Sequence, residues 1–113
     1  MAFVYLLSDS GQDNMFKIGV TRGKIEKRIK QLQTGNGNEI FLIKYYETNY
    51  PFFIERLLHM KFFPKQNINE WFTLEIEDVN KFNEYCSLFE ETAKSLKDNP
   101  FSNKILKEYD RKT

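Results

Sequence analysis

The sequence predicts an α+β domain in which a small antiparallel sheet is flanked by helices. Short apolar runs with the period of two that is typical of strands come before and between segments with the 3.6-residue period of amphipathic helices. Residues with turn chemistry separate these segments. The chain has 113 residues, which corresponds to one domain, and its 11 Phe and 6 Tyr supply a single core without disulfides.

The first two predicted strands form a hairpin. Residues 3–7 are apolar, aromatic or β-branched and end at a Ser-Asp-Ser-Gly turn signal. Residues 16–20 alternate apolar with polar or small side chains. Because the connection over residues 11–14 suits a hairpin, we expect the two strands to pair antiparallel.

A basic amphipathic helix is predicted next. Ile25, Ile29 and Leu32 recur at i, i+4 and i+7, and Thr21 is a candidate N-terminal cap. Residues 33–38 have turn chemistry and predict a loop. A third strand is then predicted over residues 40–47.

A second helix and a short extended segment follow. Pro51 suits the first turn of a helix, whose apolar stripe ends before Pro64. Residues 69–74 alternate in polarity and predict a short strand or an extended segment.

One long amphipathic helix is predicted over residues 77–96. Its apolar side chains have 3-4 spacing, and acids at its start favour the helix dipole. This helix either packs on its own domain or carries an apolar face into a dimer, so the sequence leaves monomer and homodimer open. After the Asn99-Pro100 break, residues 101–109 fit a short terminal helix.

Composition excludes several classes of protein. A single Cys cannot form an internal disulfide, and no Cys or His cluster has the spacing of a structural zinc site. The apolar run at the start of the sequence lacks a positive flank and is too short for a signal peptide or a membrane span. We therefore expect a cytoplasmic protein with no structural metal and no membrane partner.

The charges nearly cancel but are unevenly distributed. Lys and Arg number 17 and Asp and Glu number 16, a net charge of +1 that by itself disfavours a nucleic-acid partner. Residues 17–30, however, carry six cations against one acid, a local charge of +5, whereas residues 75–98 carry three cations against seven acids, a local charge of −4. The basic segment predicts a phosphate-binding face.

The order of these elements and side chains resembles the GIY-YIG nuclease superfamily. Val4-Tyr5-Leu6 stands on the first strand in place of Gly-Ile-Tyr, and Lys17-Ile18-Gly19 stands on the second in place of Tyr-Ile-Gly. Arg28 on the next helix and Glu55 on the helix after the third strand complete the pattern.

Two further segments are similar to a phage-associated branch of that superfamily that uses Lys-Ile-Gly. They are the Gln-Leu-Gln-Thr-Gly-Asn run at residues 31–36 and the Glu-Trp-Phe run at residues 70–72. The resemblance implies a GIY-YIG-like fold with a three-stranded antiparallel sheet, in which residues 1–76 form a nuclease domain. Residues 77–113 would then be a helical extension packed on the same domain, with an extra C-terminal amphipathic helix.

The resemblance also implies a chemistry, namely hydrolysis of DNA phosphodiester bonds with Mg²⁺ or Mn²⁺. That reaction needs a base for water, positive groups for the phosphoryl charge and a cation near the leaving oxygen. By resemblance, Tyr5 is the general base, Lys17 and Arg28 bind the scissile phosphate, and Glu55 is the metal ligand. A tyrosine has an unperturbed pKa of about 10, so Tyr5 needs nearby positive charge, for which Lys17 and Arg28 are the expected sources.

The chain departs from the commoner pattern in two places. Lys17 replaces the tyrosine of the second motif, and Leu32 stands where many members carry a histidine near the end of the first helix. His59, the only histidine, is instead one turn after Glu55 and is assigned a supporting role at the catalytic site. The further substrate-binding candidates are Lys24 and Asn69.

Each candidate also has a purely structural interpretation. Tyr5 is equally well explained as a packing residue in a strand. Lys24 is explained as a solvated surface charge. Glu55 and His59 have the spacing of a surface pair on a helix, and Asn69 suits the start of a turn. A second hypothesis is therefore a catalytically inactive module of the same fold that binds nucleic acid or a protein.

Overall fold

The structure is a computed structural model that describes residues 2–99. It contains a four-stranded antiparallel sheet in the order β3-β1-β2-β4, with helices on both faces. The elements in chain order are β1 (Phe3–Asp9), β2 (Met15–Thr21), α1 (Ile25–Thr34), β3 (Ile40–Glu47), α2 (Pro51–Lys61), β4 (Trp71–Thr73), α3 (Ile76–Asn80) and α4 (Phe82–Lys97). The terminal helix predicted over residues 101–109 lies outside the described residues.

The α+β class is confirmed, but the sheet has four strands and not three. The alternating segment that was predicted as a strand or an extended stretch forms β4, which pairs antiparallel with the first part of β2. Lys17 stands opposite Trp71 in this pairing. The added strand matters for function because it brings the residues just before Trp71 beside β2.

Strand β1 lies at the centre of the sheet and separates two parts of the core. Val4 and Leu6 are fully buried on the face that α2 and α4 cover. Tyr5 and Leu7 point to the opposite face, where Ile29 and other apolar residues of α1 pack on them. Successive side chains of a strand point to opposite faces, so β1 contributes to both layers while placing Tyr5 under the basic helix.

Two predictions about helix ends are wrong. Thr21 is the last residue of β2, and Lys24 occupies the N-cap position of α1. The Thr21 hydroxyl instead accepts a hydrogen bond from the Gly23 N–H at 3.2 Å and shapes the turn between the two elements. The single helix predicted over residues 77–96 is divided at Lys81 into α3 and α4, a break that leaves the apolar periodicity in register and is therefore invisible in the sequence pattern.

Helix α4 packs within the chain through both apolar and polar contacts. Phe82 and Cys86 are fully buried in the main core. Farther along the helix, the Glu90 carboxylate accepts hydrogen bonds from the Tyr46 hydroxyl at 2.8 Å and the Thr48 hydroxyl at 2.7 Å. These contacts fix α4 against the end of β3. None of the helices within residues 2–99 has the length and apolar character needed to cross a membrane.

Candidate active site

A cleft of about 480 Å³ opens where α1 and α2 approach the second half of β2. It joins residues that are far apart in the sequence, because β1, α1, α2 and the segment before β4 all contribute side chains. The residues that line it are Tyr5, Val20, Thr21, Arg22, Arg28, Gln31, Phe52, Glu55 and Glu70. Three of the residues predicted for catalysis, Tyr5, Arg28 and Glu55, therefore meet in one place.

Gly19 determines how Tyr5 enters the cleft. The two residues are opposite each other in the β1–β2 pairing. A Cβ atom on residue 19 would lie 2.5 Å from the Tyr5 hydroxyl oxygen and 2.6 Å from the ring carbon that carries it. Only a glycine leaves room for the phenol ring to cross β2. The ring is consequently buried, with 1% of the residue exposed.

The hydroxyl of Tyr5 faces Arg28. The Arg28 Nε donates a long hydrogen bond of 3.5 Å to the Tyr5 hydroxyl oxygen. Burial raises the pKa of this hydroxyl above its ordinary value of 10.0, and the Arg28 hydrogen bond and charge lower it only in part. Of the two cations expected to favour the phenolate, Arg28 is in contact with the hydroxyl, but its effect on the pKa is smaller than that of burial.

Glu55 and Glu70 form a close pair of carboxylates. Burial raises the pKa of Glu55 to about 7, and the charge of Glu70 and a hydrogen bond with it add to the increase. Glu55 comes from α2, and Glu70 precedes β4. Two like charges brought together in a partly dry cleft disfavour simultaneous ionisation, so the pair holds a proton at a pH at which both side chains would ordinarily be ionised.

Lys17 is connected to this carboxylate pair through Glu70. Its Nζ lies 3.3 Å from Glu70 Oε2 and 5.9 Å from the centre of the Trp71 ring. The β2–β4 pairing sets both distances, since Lys17 and Trp71 are opposite each other. The Lys17 charge also acts on Glu55 and lowers its pKa, although less than burial and Glu70 raise it.

His59 lies outside the cleft and contacts β2 and β4. Its Nε2 lies 3.1 Å from the backbone oxygen of Ile18 and donates to it, and its ring packs edge-on against Phe72 at 5.0 Å between centroids. These contacts hold α2 against the open edge of β2. His59 thereby fixes the helix that carries Glu55.

The two predicted substrate-binding residues do not line the cleft. Lys24 is exposed at the start of α1 and lines a neighbouring groove. Asn69 has a left-handed backbone with φ of 53° in the turn before β4 and lines a separate hollow beside Trp71. Asn tolerates this conformation better than most residues, so the turn accounts for Asn69.

Comparison with known proteins identifies the family. Residues 2–87 match the family model of the T5orf172 domain, which is most of the chain. The chain belongs to the T5orf172 domain family. This is a phage-associated domain related to nuclease-like folds. No curated protein and no solved structure gives a significant match.

The match includes every residue that lines the cleft of this T5orf172 domain, and six of these nine residues, among them Arg22, Gln31 and Glu70, were not selected for the site from the sequence. Arg22 and Gln31 lie at the turn before α1 and on its exposed side, and Glu70 lies before β4. In the sequence, Arg22 differed in no way from the other five cations of residues 17–30. Glu70 was visible as the acid of the Glu-Trp-Phe run, but its position beside Glu55 depends on the β2–β4 pairing.

The carboxylates of the T5orf172 domain fit a hard divalent cation. Within residues 2–99, no cluster of three or more His, Cys, Asp or Glu side chains is arranged to hold a metal. Glu55 and Glu70 supply two adjacent carboxylates, and Mg²⁺ is usually bound through one or two carboxylates together with water and substrate phosphate.

Proposed function

We propose that this T5orf172 domain is a small DNA endonuclease of GIY-YIG type that hydrolyses phosphodiester bonds with Mg²⁺ or Mn²⁺. The observation that supports this most strongly is the meeting of Tyr5, Arg28 and Glu55 in one cleft from β1, α1 and α2. Each side chain has a distinct chemical character there: a phenol, a planar cation and a carboxylate with a raised pKa. Family membership is compatible with a nuclease or a DNA-binding module.

Arg28 and Lys17 bind the scissile phosphate. The planar guanidinium of Arg28 can hold two phosphate oxygens at once, as a lysine cannot. Lys17 pairs with Glu70 at 3.3 Å before substrate arrives. A phosphate at the cleft therefore competes with Glu70 for the lysine, and a cation on the two carboxylates would favour the exchange.

Glu55 holds the cation, with Glu70 beside it as a second oxygen donor. When bound, a divalent cation supplies positive charge for the developing oxyanion of the leaving group. Glu55 must lose its proton to bind the cation. Its pKa of about 7 therefore makes metal affinity rise with pH through neutrality.

Tyr5 is the general base that takes the proton from the attacking water. Burial raises the pKa of its hydroxyl, so the phenolate is scarce at neutral pH and the cleavage rate should rise as the solution becomes more alkaline. Arg28 orients the hydroxyl and offsets part of the effect of burial. His59 acts through its contact with β2 and not on the reacting atoms.

A plasmid-nicking assay with Mg²⁺, Mn²⁺ or EDTA tests this proposal. Arg28→Ala and Glu55→Gln should lower the nicking rate by about 100-fold or more, because each removes a group that acts on charge in the transition state. Arg56→Ala and Glu84→Gln are matched controls, since these exposed residues do not line the cleft.

The result has a clear interpretation when circular dichroism shows that all variants are folded. Nicking that persists in EDTA, or full activity in both cleft variants, would rule out the proposed mechanism. Equal loss of activity in a control variant and its matched cleft variant would also contradict it, because the loss would not then depend on the cleft.

A second candidate function is a DNA-binding module without catalysis. The raised pKa of Tyr5 favours it, because a phenol that stays protonated is a poor base. Salt-dependent DNA binding that is lost in Arg28→Ala, with no cleavage under any metal or pH, would establish this function in place of the first.

A further inference from the structure

A second hollow lies directly beside the cleft, between β3 and the start of α1. Its volume is about 580 Å³, which is within the range of about 300–1,000 Å³ that is usual for small-molecule sites. Its floor is apolar and aromatic: Phe3 and Tyr45 pack edge to face with ring centroids 6.1 Å apart, and Leu42 lies next to them. We call this hollow the Tyr45 groove.

Tyr45 is unusually open for a strand residue on the face that α1 covers. It stands opposite Tyr5 in the β1–β3 pairing and therefore points to the same face of the sheet. Tyr5 is buried, yet Tyr45 is 53% exposed and the neighbouring Leu42 is 37% exposed. An aromatic ring presented to solvent beside an aliphatic side chain is the kind of surface on which a nucleobase stacks.

Two of the four charged residues that line the groove, Arg22 and Lys24, are cations that can contact the phosphates of a strand. Arg22 lines both hollows, so the two are neighbours on either side of this residue, and its guanidinium also packs over the Phe52 ring at 5.1 Å. Lys24 adds a second cation at the rim of the groove. The first turn of α1 lines the same rim, and the start of a helix favours anionic groups.

Two acids in the groove indicate what the stacked group carries. Glu26 and Glu47 line it together with the cations. A carboxylate near a base accepts a hydrogen bond from an exocyclic amino group such as N4 of cytosine. Thymine has no such group, so the acids favour an amino-bearing base over thymine.

We propose that the Tyr45 groove binds one unpaired, amino-bearing base of a DNA strand whose neighbouring phosphate lies in the cleft. A base inside a duplex cannot present its face to Tyr45 unless it leaves the stack. The substrate class is therefore DNA with a single-stranded segment at the cut site. This inference rests on the proposed function, because it takes the cleft to be where the phosphate binds.

Fluorescence anisotropy in EDTA measures binding without cleavage. The probes are labelled oligo-dC, oligo-dT and a hairpin duplex. We expect oligo-dC to bind more tightly than the other two. Tyr45→Ala should weaken oligo-dC binding by about tenfold, which corresponds to the loss of one stacked base.

Three further variants separate stacking from other effects. Tyr45→Phe keeps the ring and should stay within about twofold of wild type. Phe63→Ala removes another exposed aromatic ring, 69% exposed and outside the groove, and should also leave binding unchanged. Glu47→Ala removes a carboxylate acceptor and should reduce the preference for oligo-dC over oligo-dT. Glu47 is exposed on β3, so this variant tests the groove even when Tyr45→Ala does not fold.

Each outcome decides for or against the inference. Unchanged oligo-dC affinity in Tyr45→Ala, an equal loss in Phe63→Ala, or tighter binding of the hairpin would overturn it. Should Arg28→Ala weaken the binding of all DNA probes while Tyr45→Ala weakens none, the cleft remains the phosphate site and the groove assignment fails. Absence of binding to every probe also overturns the groove assignment, whereas the proposed cleavage function is decided separately by the nicking assay with Mg²⁺.

Discussion

The close approach of Gly19 to Tyr5 gives the sharpest prediction. In Gly19→Ala the new methyl group would meet three atoms of the Tyr5 side chain, at 2.5, 2.6 and 2.8 Å. Ordinary carbon contacts are about 3.5–4.0 Å, so the ring must move by roughly 1 Å. Tyr5 is almost fully buried and has little room to do so. Overpacking of this kind typically costs about 1–3 kcal/mol.

Urea denaturation followed by circular dichroism measures that cost. A loss of about 1–3 kcal/mol should lower the midpoint by roughly 0.5–2 M urea and the melting temperature by roughly 5–20 °C. Gly37→Ala is the matched control, because a Cβ atom there would meet nothing within 4 Å and φ is not positive. Its stability should stay within about 0.5 kcal/mol of wild type.

A double-mutant cycle shows whether the clash itself is responsible. Tyr5→Phe removes the oxygen that lies closest to the new methyl group. The cost of Gly19→Ala should therefore be smaller in the Tyr5→Phe background than in wild type. Gly19→Ala with wild-type stability, or the same cost in both backgrounds, would show that the phenol ring does not depend on the missing side chain.

Three further predictions concern single groups. The pKa of Glu55 rises from 4.5 to about 7 on folding. Without divalent metal, the free energy of unfolding should therefore fall by up to about 3 kcal/mol as pH rises through that interval. Urea titrations across pH check this, and Glu55→Gln should abolish the fall. Burial raises the pKa of the Cys86 thiol to about 12. This single thiol should therefore react with a disulfide reagent only when urea unfolds the chain. Rapid reaction in buffer would contradict its burial. Replacing Glu90 by Ala should cost about 1–3 kcal/mol in thermal unfolding, because the buried Thr48 hydroxyl loses its acceptor; Glu91→Ala, next to it and exposed, should cost far less.

Local periodicity was sufficient to predict most of the fold. The boundaries of β3 match the prediction, and α1 and α2 lie where their apolar stripes indicated. The errors are at positions where the pattern contains no signal. A one-residue bend at Lys81 preserves the apolar stripe, and Thr21 is as suitable for ending a strand as for capping a helix.

The candidate site was only partly predictable, because sequence order does not give side-chain proximity. Tyr5, Arg28 and Glu55 were selected through a resemblance, and they meet in the cleft. Glu70 was overlooked as a site residue because only the β2–β4 pairing brings it to Glu55. Lys24 was predicted to bind substrate, but it lines the neighbouring groove and not the cleft.

Strand β4 begins only at Trp71 and so pairs with the first part of β2 alone. The Ile18 N–H bonds the Glu70 oxygen, but the left-handed backbone of Asn69 then turns the chain away from β2. The Ile18 oxygen is left for His59, and α2 occupies the edge that a longer strand would take. The same helix carries Glu55 into the cleft. The turn that contains Asn69 therefore marks where β2 stops pairing with a strand and starts contacting the helix that supplies a carboxylate to the cleft.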